Sequence, residues 1–418
     1  MVAERAFGRD LPASSDLPVR RNTILLAAVT AVNLTVLQLV AAVASLTFVL
    51  VTGFEALLGL GPAIFLTAAA LTALPAGRAM DRFGRVPVIV GGLVVGAIGC
   101  ALTAAATRWD SAPLVILGFM LIGAQGATNL LIRTAAGDMY PPERRARGIS
   151  LVLFGAVFGA ILGPAVFSPL FAGKEVDADT LTVPWLAAGG LSIVSMLIAL
   201  AIRPDPKVIG ERISGASGAA PPGPAAPLGE IIRRPGVIPA MIAALASFMV
   251  MVSVMNLTGY VVVDHHHHSQ EAVFPIVGAH VLGMYALVLV VGTLIDRIGR
   301  RISLIGGLII VAASCSGLLF FDGVWMTAVL LFGLGLGWNL SFVAATAELA
   351  DKTSPAERGK LLGFNDLLAG LLGAGLALAG GVALDVLGVA ALAIGATVLA
   401  LAPAFLITRV RPAEPISP

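Results

Sequence analysis

Cysteine and charge are both scarce in this chain of 418 residues. The two cysteines, Cys100 and Cys315, lie inside apolar segments, which excludes a disulfide framework and a thiolate metal site. Charged residues make up 12% of the chain, whereas soluble proteins have about 25%. The net charge is +2, and no basic patch with interleaved aromatic residues occurs, so nucleic acid is excluded as a partner.

Apolar residues are abundant, at 58% of the chain, and they predict an all-α membrane protein. Uninterrupted apolar runs of roughly 17 to 25 residues are long enough to cross a bilayer as helices. The twelve predicted spans are 23–44, 57–76, 87–106, 113–136, 148–171, 183–202, 237–263, 273–291, 302–321, 324–350, 361–383 and 389–407.

A segment rich in Pro, Gly and Ala divides the spans into two sets of six. We interpret residues 203–236 as a linker between an N-terminal half, 1–202, and a C-terminal half, 237–418. Arg108 and Lys174 lie on one side of the predicted membrane, while almost all other basic residues lie on the opposite side. This asymmetry predicts that both termini and the linker are cytoplasmic, in a plasma or inner membrane.

The two halves repeat one another. Five residues after the second span recur 215 positions later, after the eighth span. The first set is Gly77, Asp81, Arg82, Gly84 and Arg85, and the second is Gly292, Asp296, Arg297, Gly299 and Arg300. Repeated halves around a site near the membrane midplane are typical of secondary transporters.

The repeated segments GRAMDRFGR and GTLIDRIGR resemble the gating motif of the major facilitator superfamily. The resemblance implies two pseudo-symmetric halves that rock about a central cavity lined by the first, fourth, seventh and tenth helices. We therefore expect a transporter rather than an enzyme. The motif glycines would permit close helix approach, and Asp81 or Asp296 would meet a helix N-terminus or an arginine across the seam.

Histidine and methionine are concentrated in the seventh and eighth spans. Met251 and Met255 are four residues apart, as are His280 and Met284, so each pair shares one helix face. Counted from the intervening loop, Met255 and His280 lie at similar depth. Because thioether sulfur is a soft ligand that suits Cu(I), we predict a copper site at these four residues. The alternatives are methionines that fill gaps in the core and a histidine that tethers two helices.

The loop between these two spans carries Asp264 and four consecutive histidines, His265, His266, His267 and His268. Imidazole binds copper, zinc and nickel. The loop is interpreted either as an external site of metal capture or as a solvated polar loop.

The pairing of the two motifs is similar to that in the CcoA-like copper importers, a branch of the same superfamily. This resemblance implies import of copper into the cytoplasm, with Met251, Met255, His280 and Met284 as ligands. The copper ion is then the substrate, no prosthetic group is expected, and a cytoplasmic copper chaperone is a candidate recipient. We expect a monomer in the lipid bilayer.

Six further polar residues lie in the spans that the resemblance assigns to the cavity. They either face water and cargo or form hydrogen bonds between helices. These residues are Asn33, Gln38, Asn129, Arg133, Asn256 and Asn339.

The rival hypothesis is a proton-coupled exporter of small organic compounds or drugs. The fifth span carries Gly155, Gly159, Gly163 and Pro164, an incomplete form of a glycine-proline pattern seen in antiporters. This pattern indicates either export or simply tight helix packing. A membrane enzyme with a histidine-bound di-iron centre would need several separated histidine clusters, which this chain does not contain.

Overall fold

The computed structural model describes residues 18–54, 57, 59–140, 145–216, 226–353 and 355–409. Over these residues the regular secondary structure is helical and includes no strand. A helix satisfies all of its backbone hydrogen bonds internally, which is what a segment surrounded by lipid requires. The predicted all-α fold class is confirmed.

The N-terminal half consists of eight helices within the described residues. They are α1 (Val19–Thr52), α2 (Leu60–Phe83), α3 (Arg85–Trp109), α4 (Ala112–Leu130), α5 (Ile132–Asp138), α6 (Arg145–Leu153), α7 (Gly155–Phe171) and α8 (Ala178–Leu200). Helix α8 begins at a capped end, because the Asp177 carboxylate accepts a hydrogen bond from the backbone N–H of Thr180 at 2.8 Å.

Two short helices follow, α9 (Pro206–Ala216) and α10 (Leu228–Ile232). The C-terminal half contains α11 (Val237–Tyr260), a π-helical turn (Val261–His265), α12 (Gln270–Tyr285), α13 (Val288–Ile298), α14 (Arg300–Gly317), α15 (Val324–Asp351) and α16 (Pro355–Arg409).

Ten segments of the described chain are long and apolar enough to cross a membrane. One of them, Leu361–Arg409, contains two spans, because Gly388 has a φ of 76° that breaks α16. The eighth predicted span is absent from the ten because it is divided into α12, of 16 residues, and α13, of 11 residues. Both differences are local breaks, and the helices agree with the twelve predicted spans.

The segment interpreted as a linker contains more structure than its composition indicates. Helix α9 lies within it and is held by Ile209, which is completely buried in a cluster with Met139 and Ala136 of the N-terminal half. The apolar residues of α9 at helical spacing therefore outweigh the Pro and Gly that surround it. The domain boundaries drawn from the sequence stay a prediction.

Some helices that are neighbours in sequence, such as α11 and α12, share only a small contact in space. Helix α12 packs mainly against α15 and α7, whereas α11 packs mainly against α16, α15 and α1. The two halves meet where α1 contacts α11, α2 contacts α16, and α7 contacts α12. We call the end of the bundle that carries α9 and α10 the linker end, and the opposite end the far end.

At the far end the halves touch through glycine. A Cβ on Gly259 of α11 would overlap the carbonyl oxygen of Ala42 on α1, and one on Gly59 would overlap that of Ala377 on α16. Beside the first contact, Ser45 donates a hydrogen bond to the carbonyl oxygen of Asn256 at 3.2 Å. The halves are therefore closed against each other at this end.

Candidate transport site

The four predicted copper ligands are all buried. Met251, Met255 and Met284 belong to one continuous apolar cluster, and His280 is completely buried. No hydrogen bond within the described residues links a thioether of α11 to His280. The helices that carry the two pairs share only a small contact, because α15 packs against both of them. The burial of the four residues is what the sequence hypothesis requires. The small contact between α11 and α12 is not what it requires, and the copper site stays a prediction.

His280 is held in one orientation by α15. Its Nδ1 lies 2.9 Å from the carbonyl oxygen of Leu331, and since that oxygen can only accept, Nδ1 carries the proton. The Nε2 atom is buried without a hydrogen-bond partner. In the neutral ring Nε2 holds a free lone pair, which can accept a hydrogen bond or bind a metal.

Helices α12 and α15 approach closely at this level. A Cβ on Gly283 would overlap the carbonyl oxygen of Phe332, and one on Gly335 would overlap that of His280. Asn339 of α15 donates a hydrogen bond to the carbonyl oxygen of Met284. The contact fixes the face of α12 that carries His280 against α15.

The loop with four histidines is folded around backbone hydrogen bonds. The N–H of His266 donates to Val261, and Nε2 of His268 lies 3.0 Å from the carbonyl oxygen of Asp322. Burial lowers the pKa of His266 below its ordinary value, although the carboxylate of Asp322 opposes the shift. His266 also lines a cavity of about 220 Å³ with residues of the chain between α14 and α15, and with Val389 and Ala390.

A compact metal cluster is not formed by these loop residues. Across the described part of the chain, no group of three or more His, Cys, Asp or Glu side chains is positioned to hold a metal ion. Asp264 and His267 are exposed, and His267 adopts a φ of 54°. The capture site stays a prediction.

An aromatic wall, which the sequence analysis missed, lines the C-terminal half. We use this name for Phe248 of α11, Phe342 and Trp338 of α15, and Tyr285 of α12. The Trp338 and Phe342 rings stack with centroids 5.0 Å apart, and Tyr285 meets Trp338 edge to face at 6.3 Å. Phe248 extends the row, 6.4 Å from Phe342. The residues come from three helices, and no spacing in one helix reveals such a row.

One residue of the aromatic wall, Tyr285, meets the N-terminal half. Tyr285 packs against a cluster that contains Leu34 of α1 and Ala156 of α7. Phe248, Phe342 and Tyr285 are only partly buried, and Nε1 of Trp338 is buried without a hydrogen-bond partner. Tyr285 thus brings the aromatic wall to the seam, and Trp338 beside it holds an unused donor.

Amide side chains occupy the N-terminal half and the seam. Nε2 of Gln125, a residue the sequence analysis did not name, donates to Oδ1 of Asn33 at 3.0 Å and to Ser192 at 3.2 Å. Gln38 of α1 donates to the carbonyl oxygen of Gly159 on α7. These bonds join helices, which is one of the two interpretations made from the sequence.

Several amide oxygens have no partner. Among the predicted cavity residues they are Oε1 of Gln38 and Oδ1 of Asn129 and Asn339. Asn256 instead forms a hydrogen bond within its own helix, because its Nδ2 donates to the carbonyl oxygen of Val252 at 2.7 Å. The remaining cavity candidate, Arg133, forms an ion pair with Asp366 of α16 at 2.6 Å, and the sequence analysis did not predict that partner.

The gating motif of the N-terminal half forms a tight turn between α2 and α3. Gly84 has a φ of 103°, a conformation that glycine adopts without strain. Asp205 caps the start of α3 by accepting hydrogen bonds from the N–H groups of Arg85 and Val86 at 3.1 and 2.8 Å. The Arg85 side chain pairs with Asp138 at 2.7 Å, which joins the turn to α5.

The second copy of the motif repeats the turn without a described acidic cap. Gly299 has a φ of 86°, and Arg301 donates to the carbonyl oxygens of Ile407 and Thr408 at the end of α16. Arg82 and Arg297 are exposed, and Arg300 is partly buried. The side chains of Asp81 and Asp296 lie outside the described residues, so their predicted contacts stay a prediction.

The motif glycines within α2 and α13 do not permit close helix approach as expected. A Cβ on Gly77 or Gly292 would meet no atom within 4 Å. Close approaches to a backbone carbonyl oxygen occur instead at other glycines, among them Gly59, Gly155, Gly259, Gly283 and Gly335.

Paired sets of membrane-spanning helices, with buried and unpartnered polar atoms at the seam between them, define an alternating-access transporter. The family model described as Major Facilitator Superfamily matches residues 23–284 and 265–418. The chain belongs to the major facilitator superfamily and is a secondary transporter, not an enzyme.

Two relatives that are similar in sequence support this membership. The chain is 31% identical to the MFS-type transporter YdeG of Bacillus subtilis, over 77% of this chain and 76% of that protein. It is 32% identical to the riboflavin transporter RfnT of Brucella anthropi, over 84% and 85% of the two chains.

Solved structures show the same fold. The partially occluded, inward-open structure of the xylose transporter XylE from Escherichia coli gives a TM-score of 0.70 at 12% identity, over 94% of this chain and all of that chain. A bacterial homologue of the human lysosomal transporter Spinster gives 0.67 at 16% identity, over 95% and 98%.

Proposed function

We propose that this transporter carries a small, flat organic solute that binds at the seam between its halves, against the aromatic wall. The observation that carries the proposal is the aromatic wall itself, in which Trp338 stacks on Phe342 and meets Tyr285. Stacked or edge-to-face aromatic pairs contribute roughly 0.5–1.5 kcal/mol beyond the area that they bury. A planar ring system is the ligand that gains most from such a surface.

Unpartnered polar atoms on α12 and α15, two of the helices that build the aromatic wall, supply the specificity. Nε1 of Trp338 is a donor, while Nε2 of His280 and Oδ1 of Asn339 are acceptors, and all three are buried without partners. A buried polar atom without a partner costs about 1–3 kcal/mol, so a solute that satisfies these atoms binds with that gain. Ring nitrogens, carbonyls and hydroxyls of an organic solute match this set of donors and acceptors.

A relative adds support from outside the structure. RfnT is named a riboflavin transporter and shares 32% identity with this chain over 84% of its length. Riboflavin is flat and aromatic, and it carries both donors and acceptors. We include it as a probe and not as the assigned substrate.

The proposal is tested by equilibrium binding to the purified full-length chain. The aromatic panel consists of riboflavin, 2-naphthoate and 2-naphthamide, titrated by calorimetry. We expect saturable binding of at least one member, weakened by Trp338→Ala and retained by Trp338→Phe. The matched control is Trp325→Ala, because Trp325 is 85% exposed and lies 13 residues before Trp338, roughly 20 Å away along α15. Equal binding by wild type and Trp338→Ala would show that the aromatic wall does not bind the solute.

Copper import is the second candidate, and one observation favours it. His280 offers a buried lone pair at Nε2, and three thioethers, those of Met251, Met255 and Met284, lie in the adjoining apolar cluster. Neutral thioethers with a single imidazole suit Cu(I) and permit its release. In this candidate function the copper ion is cargo that enters the cytoplasm.

The two candidate functions predict different amounts of bound copper. Copper bound per purified chain, measured under reducing conditions, should approach one for a Cu(I) carrier and stay near zero for a carrier of organic solutes. Cellular copper accumulation with Met251→Ala and His280→Ala, at matched expression, completes the comparison. Unchanged accumulation in both variants rejects copper as the cargo.

Orientation in the membrane is part of the proposal. The arginines and lysines are concentrated in the N-terminal tail, the linker and the motif loops, which supports a cytoplasmic linker end in the plasma or inner membrane. In this orientation the far end, with its contacts at Gly59 and Gly259, is the external side and is closed. The cytoplasmic side would be the next to open.

A further inference from the structure

An ion pair joins the two halves of the transporter. Nη2 of Arg133, at the start of α5, lies 2.6 Å from Oδ2 of Asp366 on α16. The side chains are 37% and 33% exposed, so both reach solvent while they hold each other. Because water competes for exposed charges, such a pair contributes little to stability and is easily exchanged.

Arg133 lies at the same seam as the aromatic wall. Its ion pair crosses from one half to the other, and Tyr285 of the aromatic wall packs against Leu34 and Ala156 of the N-terminal half. A guanidinium is planar and binds a carboxylate through two parallel hydrogen bonds. The seam thus offers a stacking surface with a fixed positive charge at its edge.

We propose, building on the function proposed above, that the solute is an aromatic carboxylate whose carboxyl group binds Arg133. In the empty transporter Asp366 occupies the position that the solute carboxylate takes. The exchange is balanced in charge, since one carboxylate replaces another on the same guanidinium. Binding of the solute therefore frees Asp366 and breaks a contact between the halves, which links occupancy to opening of the linker end.

This exchange predicts an unusual result for one substitution. Asp366→Asn removes the competing carboxylate without removing the cation, so affinity for an aromatic anion should rise. The increase is limited to about fivefold, because an exposed ion pair is worth little. If the ion pair only holds the two helices together, Asp366→Asn would not raise the affinity for an aromatic anion. Loss of the pair would then lower that affinity or leave it unchanged.

The experiment compares 2-naphthoate with 2-naphthamide, which has the same ring and no charge. Wild type should bind the carboxylate more tightly than the amide. Arg133→Gln should abolish that preference, and Arg133→Lys should keep part of it, which shows that the chain still folds with a cation at this position. Asp366→Asn should strengthen binding of 2-naphthoate and leave binding of 2-naphthamide unchanged.

The matched control is Asp179→Asn at the far end of the N-terminal half. Asp179 also pairs with an arginine, Arg108, at 3.5 Å, but both side chains are 68% exposed and neither is near the aromatic wall. This variant should bind both probes as wild type does.

The outcomes separate the inference from the proposed function. If both probes bind equally well, or if Asp366→Asn does not strengthen binding of 2-naphthoate, the role of Arg133 is overturned and the aromatic solute stands. If no member of the aromatic panel binds and Cu(I) does, both the inference and the proposed function are overturned.

Discussion

The indole of Trp338 stacks on the ring of Phe342, with centroids 5.0 Å apart and planes inclined by 19°. Both residues lie on one face of α15, and Tyr285 and Phe248 reach the same face from α12 and α11. Three helices of one half therefore build one row of aromatic rings, and Tyr285 brings this row into contact with the other half.

Removal of the Trp338 ring should weaken solute binding. We expect Trp338→Ala to lower affinity for the tightest-binding member of the aromatic panel by roughly 2- to 12-fold, equal to about 0.5–1.5 kcal/mol of stacking energy. Calorimetric titration measures the change. An unaltered affinity would contradict the account.

The far end should not tolerate a side chain at Gly259. Its Cβ would overlap the carbonyl oxygen of Ala42, so Gly259→Ala must separate α11 from α1. We expect this variant to stay open at the far end and to transport poorly, at a cost of about 1–3 kcal/mol to the closed state. Labelling of a cysteine introduced nearby, in a chain without Cys100 and Cys315, reports the opening.

The control for this variant is Gly395→Ala, because a Cβ at Gly395 would meet nothing within 4 Å. Alanine is a better helix former than glycine, by roughly 0.8–1.0 kcal/mol, so this variant should be at least as stable as wild type. Equal labelling of the two variants would show that the Gly259 contact does not close the far end.

Asp205 should stabilise the N-terminal gating turn. Its carboxylate accepts from the backbone N–H groups of Arg85, Val86 and Lys207, the first two of which begin α3. We expect Asp205→Ala to cost about 0.5–2 kcal/mol, the usual value of a helix N-cap. A thermal unfolding series checks this, with Asp264→Ala as a control at an exposed carboxylate outside the motif. Equal midpoints for the two variants would argue against a capping role.

The course of the chain through the membrane could be predicted from the sequence. Apolar runs locate the spans because a helix is the form in which a single segment satisfies its backbone in lipid. The turn at Gly84 follows from a glycine between two helical patterns. The helical breaks at Leu287 and Gly388 changed the boundaries of the eighth and the last two spans, but not their existence.

Helix neighbours could not be predicted in the same way. Depth along α11 and α12 can be counted from their shared loop, but the position of α15, which packs against both, depends on packing through Gly283 and Gly335. Asp366, 233 residues from Arg133, is an ordinary acid in the sequence and gains its role only through the fold. The aromatic wall was missed for the same reason.

The most direct measurement of the account is a side-by-side titration of the purified chain with the aromatic panel and with Cu(I). The account predicts saturable binding of an aromatic compound, weakened by Trp338→Ala and unaffected by Met251→Ala, with no stoichiometric copper. Binding of one Cu(I) per chain, lost in His280→Ala and Met251→Ala, with no binding of any aromatic compound, would contradict it.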